Sequence, residues 1–355
     1  MQADGTFRSI SANPFAQFGT NVRRYVGSEI LPERLTNENT YREDLIRYRT
    51  VIAGDAPRYS PAQKKGGVDM AGQFLVELGT QDILVEVTGR EYDAIVQASL
   101  RGDSESAANT IMQLANLKVN AALVEKTEVQ RFEALVNAAV VRVGQNGYNE
   151  TIAYPNPSGH RVATAGDWAS DAYDPMDDIV AQHELLASKG FITSRILTST
   201  SVVSLLAKNA KVSSRTGTLQ VVGGSLVSAG GFATLNSINQ MLQSNGLPVI
   251  ETYDATYREE DGTLKRFLPE DTMLFVAQGG QDPVSFTFES ETRVVSNPLG
   301  YTAIGRAAGQ EAPGRVMNVE TFTNKPPRVV MEGFQESLPV ITEPEAIAVI
   351  NSINI

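Results

Sequence analysis

Between Asp103 and Val143 the chain runs 41 residues without a Gly or a Pro. Within that run Leu114, Leu117, Ala121, Val124, Phe132, Leu135 and Ala139 step by three or four, with Glu128 the only polar break. The spacing puts them on one face of an α-helix over about 103–141. Asp103 or Ser104 offers an N-cap oxygen, and Glu105 adds negative charge to the first turn. Thirty-five or more residues at about 1.5 Å each make a rod of roughly 50–60 Å. The mean globular helix has only about 11–12 residues. A rod of that length is a spine that organises parts beyond a single core. Phe132 is expected to be buried and Gln130, off the stripe, exposed.

With 355 residues the chain is long enough for two domains. It contains no Cys, which excludes disulfides, thiol catalysis and Cys-ligated metals. Its two His, His160 and His183, lie far from any metalloprotease spacing and are expected to be surface or satisfied polar groups. The net charge of −11 is uneven: residues 1–65 hold ten Lys/Arg and seven Asp/Glu, whereas the rest hold twenty and thirty-four. An acidic body argues against gripping nucleic acid. A mildly basic arm could lie on the body of another copy. Met1–Thr20 lacks the apolar core of a secretory signal, and Thr216–Ile250 is too polar to span a membrane. A soluble chain made in a cytoplasm, without membrane contact, is expected.

Along the chain, residues 1–45 mix Gly and Pro with isolated Phe7, Phe15, Phe18 and Tyr25 and read as a weakly structured arm. Residues 46–80 read as two strands, Ile46–Ala53 and Phe74–Leu78, around a tip containing Pro57, Arg58, Pro61, Lys64, Lys65, Gly66 and Gly67. Such a hairpin is not stable alone. Ile83–Val87 reads as a strand, Thr88 with Glu91 as a capping box, and Val140–Val143 with Tyr148–Tyr154 as a hairpin after the spine. Pro155–Gly166 is the expected domain boundary. Beyond it, Asp174-Pro175 starts a helix, and Arg195–Thr200, Val202–Lys208, Phe232–Leu242 and a hairpin around Asp261-Gly262 follow. Met273–Ala277 reads as a buried strand, and Val316–Met331 and Val340–Ile350 as extended returns. The class is α+β, with helices and strands segregated.

Tests for chemistry find little. Asp167, Asp171, Asp174, Asp177 and Asp178 lack the spacing of a Ca²⁺ loop. Gly223-Gly224-Ser225 and Gly230-Gly231 fit neither nucleotide fingerprint and read as a mobile loop. Asp254, Glu259, Glu260 and Asp261 read as solvated turn residues, and Trp168 as a packing anchor. No catalytic residue, cofactor or metal is expected. Extended arms, a hairpin and a rod without a catalytic set describe a building block.

The order of parts resembles the major capsid proteins of tailed bacteriophages, the Hong Kong 97-like fold, and among them the lambda-like capsid protein E family. The residues that carry the resemblance are Arg131-Phe132-Glu133 with Leu135; Asp167-Trp168 with Asp174-Pro175 and Asp178; and Leu247-Pro248 with Tyr253-Asp254 and Tyr257. Asp261-Gly262 with Arg266-Phe267-Leu268-Pro269, and Leu338-Pro339-Val340 with Pro344-Glu345-Ala346, complete it. It runs from about Leu31 to Ile355 and departs at Ala138-Ala139, where relatives often break the spine with Gly. It implies a self-assembling head shell around the phage genome, located in the virion. By the same resemblance, residues 1–45 form an N-terminal arm, 46–80 an extended loop, 81–155 with the spine the peripheral domain, 167–310 the axial domain, and 311–355 the C-terminal strands returning to the peripheral domain. Implied partners are further copies in hexamers and pentamers, a separate scaffolding protein, a portal, a decoration protein, and DNA held loosely at the inner face. Phe15, Phe18, Arg23, Arg24, Arg58, Lys64 and Lys65 are the expected subunit contacts. The alternatives are an encapsulin-like nanocompartment shell and a metal-dependent hydrolase.

Overall fold

The computed structural model describes residues 8–10, 25–37, 40–48, 68–93, 97, 111, 113–144, 149–216, 219–222, 225–228, 233–259, 261–279, 285–288, 291–294, 299–322 and 328–355. The chain divides into two compact units. The first holds residues 1–19, 35–120 and 303–338; the second holds 20–34, 121–302 and 339–355.

In the first unit, Arg328–Ile341 is the organising strand until it leaves the unit after Leu338. Gly79–Val87 runs antiparallel to it, from Ser337↔Gly79 to Val329↔Val87. Val316–Phe322 pairs on its other side, from Val316↔Phe334 to Phe322↔Arg328. Arg8–Ile10 lies outside that strand, opposite Val319, Asn318 and Met317. Apolar residues of these strands, including Val87, Met317, Val329, Met331 and Leu338, are buried with Ala115 and Val119 of the helical segment. One polar chain lies within this apolar setting. The Gln81 amide donates to Ser337 Oγ at 2.9 Å, the Gln335 amide donates to Gln81 Oε1, and Arg315 Nε donates to Gln335 Oε1 at 2.8 Å. Such partners are what a buried amide requires. Thr40–Tyr48 and Val68–Glu77 form a separate antiparallel two-stranded sheet with a register shift at Leu45/Ile46.

The second unit is built on a five-stranded mixed sheet, in the order Ile250–Thr252, Phe191–Thr198, Met273–Gly279, Ile347–Asn351, Arg161–Ala163. The two outermost pairings are parallel and the two inner ones antiparallel. Every residue of Met273–Ala277 and Ile347–Ile350 is buried, as expected of strands covered on both faces. The helices Pro175–Ser188, Thr200–Lys208, Ala210–Thr216 and Leu235–Ser244 and the spine helix Ala121–Asn137 complete the unit.

Several elements start where sequence chemistry predicts. Asp174 caps Pro175–Ser188, accepting from Met176 N–H, with Pro175 at the first helical position. Ser199 caps the next helix through Val202 N–H, and Thr234 with Ser237 forms a reciprocal capping box for Leu235–Ser244.

Other expectations are corrected. The spine ends at Asn137, not near 141; Ala138 takes a left-handed φ of 51°, and a strand starts at Ala139. Residues 103–110 lie outside the described residues. Asn116–Asn120 is a π-helical turn, so the face presented before it is rotated from the expected stripe. Leu117 is therefore 59% exposed, while Ala115, Val119 and Leu123 are buried. Gln130, expected to be exposed, is buried because the C-terminal half of the spine is covered beyond one stripe. The hairpin begins at Thr40, so the division at 45/46 falls inside a strand. Residues 121–302 belong to one unit, which runs unbroken through the expected boundary at Pro155–Gly166. Gly223, Gly224, Gly230 and Gly231 lie outside the described residues, whereas Ser225 opens the strand Ser225–Ser228, which pairs with Leu219–Val222. Glu91 makes an ion pair with Lys118 at 2.6 Å.

Candidate functional site

The expected subunit contacts Phe15, Phe18, Arg23, Arg24, Arg58, Lys64 and Lys65 all lie outside the described residues. The expected acidic cluster is a set of caps and anchors. Asp167 accepts from Ala169 N–H at 3.0 Å, Asp171 from Ala210 N–H at 3.2 Å, and Asp174 from Met176 N–H at 3.1 Å. Asp178 receives the Trp168 indole N–H at 2.8 Å and the Tyr173 hydroxyl at 2.6 Å. Burial and these carboxylates together push the Tyr173 hydroxyl well above its ordinary range. Among the described residues no group of three or more His, Asp and Glu is placed to hold a metal ion.

The remaining candidates are structural as well. Asp254 accepts from Thr200 and Arg266, Glu259 pairs with Lys265 at 2.8 Å, and Asp261 accepts from Thr263 N–H at 2.8 Å. His160 is buried, with Nδ1 2.9 Å from the Ile347 carbonyl, where it ties the loop before Arg161 to the C-terminal strand. His183 Nδ1 lies 3.1 Å from Thr193 Oγ1.

What the second unit does assemble is a junction around the end of the spine. The Glu128 carboxylate is fully buried and accepts from Gly27 N–H at 2.6 Å, from the Tyr253 hydroxyl at 3.2 Å and from Arg131 at 3.2 Å. Arg131, also fully buried, donates through Nε to Thr302 Oγ1 at 2.8 Å and through Nη2 to Glu33 at 3.2 Å. Thr302 Oγ1 in turn donates to the Leu31 carbonyl at 3.0 Å. Burial pushes the Glu128 carboxyl above its ordinary value, although Arg131, Gly27 and Tyr253 act against that rise. The network gives both buried charges partners, which an unpaired buried charge would lack. It fastens the segment around Val26–Ile30 to the spine.

An aromatic cluster seals the same junction. Phe132 stacks on Tyr253 with centroids 5.1 Å apart, and Phe267 meets Tyr253, Tyr257 and Tyr25 at 6.3, 5.1 and 6.1 Å. Pairs of this kind add to the area they bury. Arg161 closes the C-terminus of the spine, donating to the Leu135 and Val136 carbonyls at 2.9 and 2.8 Å. Those carbonyls have no partner inside the helix. Burial pulls the Arg161 guanidinium down to about 10. Of the residues that carry the resemblance, Arg131, Phe132, Tyr253, Tyr257 and Phe267 thus meet in space. Glu128 was visible in the sequence only as an interruption of the stripe, and Gly27 carried no signal at all.

A family model described as phage major capsid protein E matches residues 91–288, more than half of the chain. Three solved structures are similar. The first, assigned as the capsid protein of a prophage in Escherichia coli CFT073, has a TM-score of 0.53 and 14% identity over 80% of this chain and 80% of that one. A phage-related protein of Bordetella bronchiseptica RB50 has a TM-score of 0.48 and 12% identity, covering 92% of this chain and 91% of that one. The SrpI encapsulin of Synechococcus elongatus PCC 7942 has a TM-score of 0.46 and 12% identity, covering 98% and 96%. Of these three, the first carries the fold argument, and the fold is the Hong Kong 97-like capsid fold. No curated protein sequence matches the chain.

Proposed function

The chain belongs to the phage major capsid protein E family, and from that premise we propose that the paired strands Thr40–Tyr48 and Val68–Glu77 are the extended loop by which each subunit reaches its neighbour. The protein is a structural component of the virion. Copies of it form the head shell, and this answers the choice left open by the sequence between a phage head and a nanocompartment.

One observation supports the loop reading. The hairpin's strands of nine and ten residues form their own sheet and share no ladder with any other strand among the described residues. An isolated two-stranded sheet is marginal in water, and on this reading a neighbouring subunit's surface completes it. On this reading Arg58, Lys64 and Lys65 contact that neighbour, and Phe15, Phe18, Arg23 and Arg24 form the arm's contacts. A scaffolding protein, a portal and a decoration protein are the further proposed partners, with DNA held loosely at the inner face.

The test is to replace residues 49–67 with an Asn-Gly turn, which closes a two-residue hairpin. The variant should keep its far-ultraviolet circular dichroism and remain as free subunits or capsomers when co-expressed with its scaffold. Closed shells at normal yield would overturn the loop assignment.

A further inference from the structure

We propose that the open face of the first unit's sheet is the docking surface for a separate, basic protein of the particle, whose Lys and Arg side chains lie along Leu84, Val330 and Phe334 with their charged ends on Asp82, Glu320 and Glu332. The inference rests on shell assembly and not on the loop reading above.

Strand pairing fixes which residues share this face. Successive side chains point to opposite faces, and residues paired across strands stand on the same one. Gln81, Met331 and Gln335 are buried on one side of the sheet. The residues between them face the other way in rows: Asp82 beside Phe334, Leu84 beside Glu332, and Val330 between Glu86 and Glu320. All four carboxylates and Leu84 are exposed, Leu84 at 60%.

The face is acidic and short of partners. Only Glu86 has a cation near it, with Arg328 Nε 3.8 Å away. Asp82, Glu320 and Glu332 make no hydrogen bond or ion pair among the described residues. The next row carries Glu336 opposite Thr80. Glu336 is buried, and its Oε2 has no hydrogen-bond partner among the described residues. Burial pushes this carboxyl up, and the charge of Arg306 acts against that rise. A buried oxygen left unmatched is costly, and positive charge brought to the face lowers the cost.

The alternation of apolar and acidic neighbours selects the occupant. A Lys or Arg stem covers apolar surface while its head reaches a carboxylate. Asp82 and Glu86 stand about 13 Å apart along their strand, and the two outer strands about 10 Å apart, which leaves room for several such side chains. Nucleic acid is repelled by this charge. So is the body of a second copy, since residues 66–355 hold thirty-four acidic residues against twenty basic. In residues 1–65 ten basic residues are interspersed with seven acidic ones, which makes a second copy's arm the weaker match. A patch of this size holds a partner weakly at one subunit, and a partner that touches several subunits gains by repetition.

The test uses particles purified from infected cells. A water-soluble carbodiimide condenses a carboxylate with a lysine amine, taking up the water released, and the joined peptides are mapped by mass spectrometry. Asp82 or Glu332 should be joined to lysines of a different polypeptide. In particles carrying Glu332→Lys or Leu84→Ser, the copies of that polypeptide per particle should fall about tenfold or more, the loss expected when one central contact is removed. Glu184→Lys, exposed on a helix of the second unit, should leave them unchanged. Linkage only to lysines of this chain, Lys64 and Lys65 included, would overturn the proposal and leave the shell and the loop reading standing. No linkage from either carboxylate, or an unchanged copy number in Glu332→Lys, would overturn it as well. If Glu332→Lys does not form particles, Asp82→Asn with Glu320→Gln removes charge without adding any and is read in the same way.

Discussion

At Glu128 the spine puts a carboxylate where no water reaches, and its neighbours are shaped around it. A Cβ at Gly27 would stand 2.8–2.9 Å from the Glu128 carboxylate atoms. That carboxylate cannot swing aside, because Arg131 and Tyr253 hold it. Gly27→Ala should therefore cost about 1–3 kcal/mol, the usual range for overpacking, read as a lowered urea midpoint. The carboxyl's pH response has a definite sign. Its folded value lies above the ordinary 4.5, with burial as the main cause. The folded state therefore holds the proton more tightly, and the associated stability is present in full below 4.5 and lost as pH rises through the folded value. Relative to Glu128→Gln, the wild type should gain stability as pH falls from 7 towards 4.5; urea midpoints that diverge in the opposite sense would place the carboxyl below its ordinary value. Phe132, stacked on Tyr253, should cost about 3–5 kcal/mol when changed to Ala. Gln130→Ala should cost about 1–3 kcal/mol, because the side chain is buried and partnered.

The spine shows what a periodicity argument can and cannot reach. Its existence and its apolar phase at Phe132 and Leu135 follow from spacing alone, and both residues are buried. Asp174-Pro175 similarly announces its helix, because a cap is a local signal. The π turn at Asn116–Asn120 left no trace in the pattern, since residue spacing carries the 3.6 period and not its local failure. The helix end is legible only through strain. Ala138 sits at φ 51°, donates to the Ala134 carbonyl and accepts from Tyr154 N–H. A Gly here would adopt this conformation without a Cβ clash. Ala138→Gly should accordingly raise stability by up to about 1 kcal/mol, seen as a higher urea midpoint. A lowered midpoint would mean that the buried methyl outweighs the strain. The junction of Glu128, Gly27 and Arg131 was out of reach for a different reason, since it joins residues about a hundred positions apart.

For the molecule as a whole, the proposed loop makes assembly visible to a protease. Lys64 and Lys65 lie in a stretch rich in Pro and Gly, the chemistry of preferred nicking sites. Trypsin should cleave there in free subunits and be excluded once a neighbour covers the loop. Equal cleavage rates in subunits and shells would sink the idea. If acidic groups seat the tip, the double change Lys64→Glu and Lys65→Glu should weaken assembly more at low salt than at high salt, since exposed charge pairs are screened beyond about 10 Å at 0.1 M ionic strength.

The fully buried Trp168 gives the two units different optical standing. It is the only tryptophan in the chain, it lies in the second unit, and its indole N–H is held by Asp178. Its fluorescence therefore reports the loosening of one unit and is silent about the other. During denaturation, a tryptophan emission curve that coincides with circular dichroism would mean the two units melt together. A dichroism change that continues after the emission has finished shifting to the red would expose the first unit as a separately cooperative body.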